Sequence, residues 1–125
     1  MKNIDLGTAQ ITLIDECIVL FEADPDLVID KRAATDFYHA INQHVTGDYS
    51  LIIHRKHKYQ LLRMEVFGVI NSQERLVGMA IVAPRNTAKK MADIEAPLSQ
   101  KPFATFSNID DAIVWLKTLH DNSRE

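Results

Sequence analysis

Five consecutive residues, His54-Arg55-Lys56-His57-Lys58, form the most chemically distinctive stretch of this 125-residue chain. They directly follow Tyr49-Ser50-Leu51-Ile52-Ile53, which reads as a strand. Open α/β sheets present ligands at the carboxyl ends of their strands, and helix amino termini nearby add oriented N–H donors. Guanidinium and ammonium groups in that setting suit a phosphate, a carboxylate or an acidic protein surface. The residues predicted to bind a partner or an anion are therefore His54, Arg55, Lys56, His57 and Lys58. The plainer account is a solvated loop that balances an otherwise acidic chain, and it stays open beside the first.

Other chemistry-bearing residues fall short of a reactive set. His54 with His57, or His39 with His44, supplies two imidazoles, but neither pair is joined by a His-Glu-x-x-His spacing, so no metal is expected. Asp15, Glu16, Glu22, Asp24 and Asp26 gather around two candidate strands, where solvated charges and caps are the ordinary reading of carboxylates. Cys17 opens an apolar run and reads as a small core hydrophobe. Ser50 and Ser72 have no nucleophile elbow around them, and Gly68 and Gly78 belong to no phosphate-cradling loop. The expectation is a protein that is not an enzyme and carries no cofactor.

Composition narrows the partners. Fourteen Lys and Arg stand against seventeen Asp and Glu, a formal charge of -3, and the nine aromatic residues do not interleave with basic ones. Nucleic acid is not the expected partner. Tyr38, Tyr59 and Met64 are candidates for an interface instead. One cysteine excludes an intrachain disulfide framework. No apolar stretch reaches the ~20 residues of a spanning helix, and Met1-Lys2-Asn3-Ile4-Asp5 does not lead into a signal peptide, so a cytoplasmic location is expected.

The elements that would position these residues alternate between two periods. Residues 10–15 (QITLID) alternate as a strand with one wet face, and residues 17–21 (CIVLF) are apolar throughout, as in a strand covered on both faces. Asp30 can cap a helix carrying Ala34, Phe37 and Ile41, stopped at Thr46-Gly47-Asp48, where Gly47 could adopt a left-handed backbone. Residues 49–53 form the next strand. Residues 59–70 (YQLLRMEVFGVI) fit either a helix or a strand, and a helix is favoured because a parallel neighbour needs a crossover. Residues 76–82 (LVGMAIV) are a buried strand; Asn86 or Thr87 then caps a short helix that Pro97 stops. A strand at 103–106 (FATF) precedes a capping-box-like Ser107-Asn108-Ile109-Asp110 and a final helix that packs Ile109, Ala112, Ile113, Leu116 and Leu119 on one face. The order predicts a mixed sheet, a hairpin followed by parallel strands joined by right-handed helical crossovers.

The last third of this pattern carries a resemblance. The strand Leu76-Val77-Gly78-Met79-Ala80-Ile81-Val82-Ala83-Pro84, the short Phe103-Ala104-Thr105-Phe106, and Asp111-Ala112-Ile113-Val114-Trp115-Leu116 with its Ala-x-x-Trp-Leu spacing together resemble the SpoIIAA-like family. That family is a branch of the STAS (sulfate transporter and anti-sigma-factor antagonist) and Sec14-like superfamily. The resemblance implies one SpoIIAA-like domain over residues 1–125, an α/β fold with a mixed four- or five-stranded sheet and helices mainly on one side. It implies a non-catalytic binding or regulatory module that acts on a protein partner or on a second copy of itself, giving a homodimer. Sec14-like relatives imply the alternative, a small anionic or lipid-like ligand. Family members that switch by phosphorylation do so at an Asp-Ser pair just past the middle strand; this chain has His54-Arg55 there, so that switch is not carried over.

Overall fold

The computed structural model describes residues 2–56 and 60–123. His57 and Lys58, two of the five predicted site residues, and Tyr59 lie outside the described residues. In chain order the strands are Lys2–Asp5 (β1), Ala9–Leu13 (β2), Ile18–Ala23 (β3), Val28–Ile29 (β4), Tyr49–His54 (β5), Gln60–Leu61 (β6), Leu76–Val82 (β7) and Phe103–Phe106 (β8). The helices are Lys31–His44 (α1), Arg63–Asn71 (α2), Arg85–Glu95 (α3) and Ile109–Ser123 (α4), with a 3₁₀ turn at Ala96–Leu98.

Among the described residues, a mixed six-stranded sheet runs in the order β1-β2-β3-β5-β7-β8, and β4 and β6 form a separate parallel pair. The first three strands are antiparallel neighbours, and β3, β5, β7 and β8 run parallel. The sheet thus has more than the four or five strands expected. The additional one is β1, where Ile4 alone is apolar in Lys-Asn-Ile-Asp and no period of two can show. Pairing makes it a strand: Asp5 Oδ1 accepts the Gly7 N–H at 2.8 Å, and Gly7 turns the chain at φ 89°, a backbone glycine reaches without strain. The next turn is tied by Asp15, whose Oδ1 accepts the N–H groups of Cys17 and Ile18 at 2.9 and 3.0 Å. Asp15 and Cys17 are therefore turn residues rather than strand residues.

Helix ends show where local signals act. Asp30 caps α1 by accepting the Ala33 N–H at 2.9 Å, as its side chain predicts. The other end departs from expectation: Val45 leaves the helix with extended backbone, and Gly47 is not among the described residues with positive φ. Arg75 does the work a left-handed cap would do, donating to the carbonyls of Asn42, Val45 and Gly47 at 3.0, 2.7 and 3.2 Å. Residues 59–70 divide: the helical reading holds from Arg63, while Gln60–Leu61 pairs with β4. α3 starts at Arg85 behind Pro84 without a side-chain cap, ahead of Asn86 and Thr87. The box before α4 lies one residue later than expected, with Asn108 accepting the Asp111 N–H and donating to the Asp111 carboxylate, both at 2.9 Å.

Strand alternation builds two interiors. Val19, Phe21, Leu51, Met79 and Ile81 face a cluster shared with α1, α2 and the Ala88 and Met91 side of α3. Ile18, Ile52, Ala80 and Val82 face α4, where they meet Ala112 and Leu116. Phe106 and Trp115 sit at that second interior with ring centroids 5.7 Å apart. Gly78 lets α4 approach: a Cβ there would stand 2.5 Å from Leu119 Cδ1. No helix among the described residues is long and apolar enough to cross a membrane.

Candidate functional site

The predicted basic run is split by the pleat of the strand it ends. Leu51, Ile53 and Arg55 point to the α1/α2 side, and Ile52 and His54 to the other. Glu22 ends the neighbouring strand on the latter side. His54 Nδ1 lies 3.1 Å from Glu22 Oε2, and Lys56 Nζ lies 2.7 Å from the same oxygen. Burial by itself would raise the Glu22 pKa, but the hydrogen bonds and charges of Lys56 and His54 outweigh it and hold the carboxyl below its usual range. Glu22, one of the carboxylates read as an ordinary solvated charge, is the partner of two predicted site residues.

Arg55 goes elsewhere. Its Nη1 and Nη2 donate to Glu95 Oε2 and Oε1 at 2.9 and 2.7 Å, a two-pronged guanidinium–carboxylate pair. Arg63, from the first turn of α2, donates its Nε to Oε2 at 3.2 Å. Met91, one turn back on α3, places its sulfur against both guanidinium groups. The Glu95 side chain is completely buried, that of Arg55 is 11% exposed and that of Arg63 36%. Two positive charges therefore surround one negative charge with little water. Directly beneath is an apolar cavity of about 40 Å³, lined by Phe21, Phe37, Leu51, Phe67 and Met79, with Arg55 and Glu95 at its polar end.

Sequence reasoning named Arg55 and missed Arg63, Met91 and Glu95. A signal existed for two of them. Ala88, Met91 and Glu95 repeat at spacings of three and four, so the buried stripe of α3 ends in a carboxylate. Arg63 had none, because an arginine in the first turn of a helix ordinarily faces water.

The opposite end of the sheet holds a second polar group. Ser50 Oγ lies 3.0 Å from His120 Nε2 and 3.4 Å from the Cys17 carbonyl, and Ser50 is fully buried. A hydroxyl so enclosed ties α4 to the sheet. Cys17 is partly buried against the second interior. Tyr38, an interface candidate, is buried, and burial, with the neighbouring Tyr49 phenol adding to it, drives its pKa far up; Met64, another, is 76% exposed. Tyr49 is pushed up to about 12, by burial against the opposing pull of Arg75, whose guanidinium carbon stands 6.0 Å from the ring centroid. Among the described residues no group of three or more His, Cys, Asp or Glu could hold a metal ion.

Comparison of the chain with protein-family models, with curated proteins and with solved structures gave no match.

Proposed function

We propose that this chain is a non-catalytic cytoplasmic binding module of the SpoIIAA-like (STAS) type, acting on a protein partner or on a second copy of itself. The observation that carries the reading is the fate of the charged groups at the carboxyl end of the sheet. Arg55 and Arg63 engage Glu95, and His54 and Lys56 engage Glu22, so side chains that would otherwise converge on a substrate are committed to structure. Around them lies apolar surface. Leu62 and Met64 flank Arg63, Ile94 precedes Glu95, and Val28 sits on β4 beside β6; all four are about half exposed or more. Exposed apolar groups gathered near one end suit association better than chemistry. The shared interior of Phe106 and Trp115 supports the family reading, since it is the packing an Ala-x-x-Trp-Leu helix needs against the last strand.

Sedimentation of the wild-type chain and of a Leu62→Glu/Met64→Glu variant tests this. A wild-type dimer that the double substitution converts to a folded monomer is the expected outcome. A wild type that stays monomeric across the accessible concentration range removes the self-association arm.

A second reading, binding of a small anion, is favoured by the apolar cavity that ends at Arg55. Ordinary ligand pockets occupy ~300–1,000 Å³. About 40 Å³ is far below that, so the occupant is small rather than lipid-sized.

A further inference from the structure

We infer that Arg55 and Arg63 form a carboxylate cradle in which Glu95 is a built-in occupant, displaceable by a short alkyl monocarboxylate whose tail fills the cavity beneath. The inference rests on the small-anion reading and adds the identity of the ligand class and of the competitor.

The first ground is the pairing itself. One carboxylate takes both Nη atoms of Arg55 and the Nε of Arg63, so the site demonstrably holds a carboxylate in a two-pronged geometry. Exchanging Glu95 for another carboxylate leaves the charge balance of the buried group unchanged. Burying the guanidinium groups is a cost already met by folding, and the expelled Glu95 regains its hydration.

The second ground is the space behind. Its volume of about 40 Å³ is far below the ~300–1,000 Å³ of an ordinary ligand pocket, which limits an occupant to a short tail of a few carbons. That space is lined by apolar groups such as Phe21, Phe67 and Met79, which suits an alkyl tail. Butanoate to hexanoate match it. Acetate has no tail to place there, and a long-chain fatty acid overfills it.

The third ground is how lightly α3 is held. Of its residues, Ala88 and Glu95 are buried and Met91 and Ala92 are partly so; Arg85, Asn86, Thr87, Lys89, Lys90, Asp93 and Ile94 are exposed. Its first turn carries Arg85 and no acid, and its last turn carries Asp93 and Glu95 and no base, the reverse of what the helix dipole favours. Withdrawal of Glu95 therefore disturbs few other contacts of the helix.

Methionine methyl resonances report the two halves of the site directly: Met91 touches the cradle, Met79 lines the cavity, and exposed Met64 serves as a control. Titrating the wild-type chain with sodium hexanoate is expected to shift Met79 and Met91 saturably, leave Met64 in place, and speed amide exchange over residues 85–95. Hexanamide, with the tail but no charge, and acetate, with the charge but no tail, are expected to need at least about tenfold higher concentrations. Glu95→Gln weakens the internal competitor and is expected to bind hexanoate about tenfold or more tightly than wild type. Ala34→Leu, which fills the cavity from α1, is expected to abolish the Met79 response. Hexanoate that shifts Met79 and Met91 without faster exchange at residues 85–95, and with no gain in Glu95→Gln, overturns displacement but leaves the small-anion reading standing. Hexanoate that shifts neither methyl in the wild type nor in Glu95→Gln overturns both.

Discussion

Replacing Arg55 by Met would leave a completely buried carboxylate with a single, partly exposed guanidinium contact at 3.2 Å. Breaking a buried ion pair from one side typically costs ~3–5 kcal/mol, because the remaining charge stays out of water. Arg63 keeps one hydrogen bond to Glu95, which argues for the lower half of that range, about 3 kcal/mol. Glu95→Gln still offers Arg55 an amide oxygen and should cost about 1–3 kcal/mol. The double variant Arg55→Met/Glu95→Met removes both charges together and should cost less than Arg55→Met alone, a coupling of about 2–3 kcal/mol once Glu95→Met is measured as well. Against a whole-domain stability of ~5–15 kcal/mol these are large effects. Urea unfolding followed by far-ultraviolet circular dichroism reads them. With a slope of about 1.5 kcal/mol/M, Arg55→Met should lower the midpoint by about 2 M. Repeating the cycle in high salt should leave the coupling nearly intact, since the pair is shielded from counterions. An Arg55→Met cost below about 1 kcal/mol, or single costs that simply add, would refute the reasoning that this pair is a buried and mutually dependent unit.

Three further outcomes follow from the same structure. Gly78→Ala should destabilise by about 1–3 kcal/mol by driving a methyl into Leu119, and adding Leu119→Ala should make that extra methyl nearly harmless; equal costs in both backgrounds would show that α4 does not rest on Gly78. The Glu22 carboxyl, held low in the fold, contributes stability that is present above its unfolded value near 4.5 and is lost as pH falls through its folded value. Glu22→Gln should flatten that acid limb, and a carboxyl carbon NMR titration placing Glu22 at or above 4.5 would contradict it. Tyr38 and Tyr49 run the other way: their raised values contribute stability present below the unfolded value near 10 and, for Tyr49, lost as pH rises through about 12. Ultraviolet titration should therefore find Tyr38 and Tyr49 still protonated at about pH 10.5, and ionisation of either at that pH in the folded chain would be inconsistent with their burial.

Strands covered on both faces were the most legible part of the fold. Residues 18–21, 51–53 and 76–82 carry no charged or strongly polar side chain because α1 and α2 lie on one side and α4 on the other, and few other environments tolerate such runs. Asp30 was legible as a cap because its effect is local: its oxygen needs an N–H three residues on and nothing more distant. β1 and the β4–β6 pair were not legible. Each is a strand through its neighbour, and Lys-Asn-Ile-Asp or Gln-Leu holds no period by itself. The end of α1 was misread for the same reason. Arg75, thirty residues beyond Val45, serves its last carbonyls, so the local glycine signal at Gly47 was unnecessary.

The candidate site divides along that line between local and distant causes. Once residues 49–53 are a strand, the pleat assigns Arg55 to the side of Leu51 and Ile53, a side that two apolar helices cover. An arginine sent to a covered face needs acceptors there, and a carboxylate is the acceptor that also balances its charge, though any of seventeen acids could supply it. What singles out Glu95 is the period of α3: Ala88, Met91 and Glu95 share the stripe turned towards the sheet, and Glu95 is the acid among them. Asp93, two residues away, points to water on the same helix. Two periodicities, two residues per repeat in β5 and 3.6 in α3, thus converge on one buried contact between residues forty apart. The partner of a buried charge can be sought by asking which acid sits where an apolar residue should.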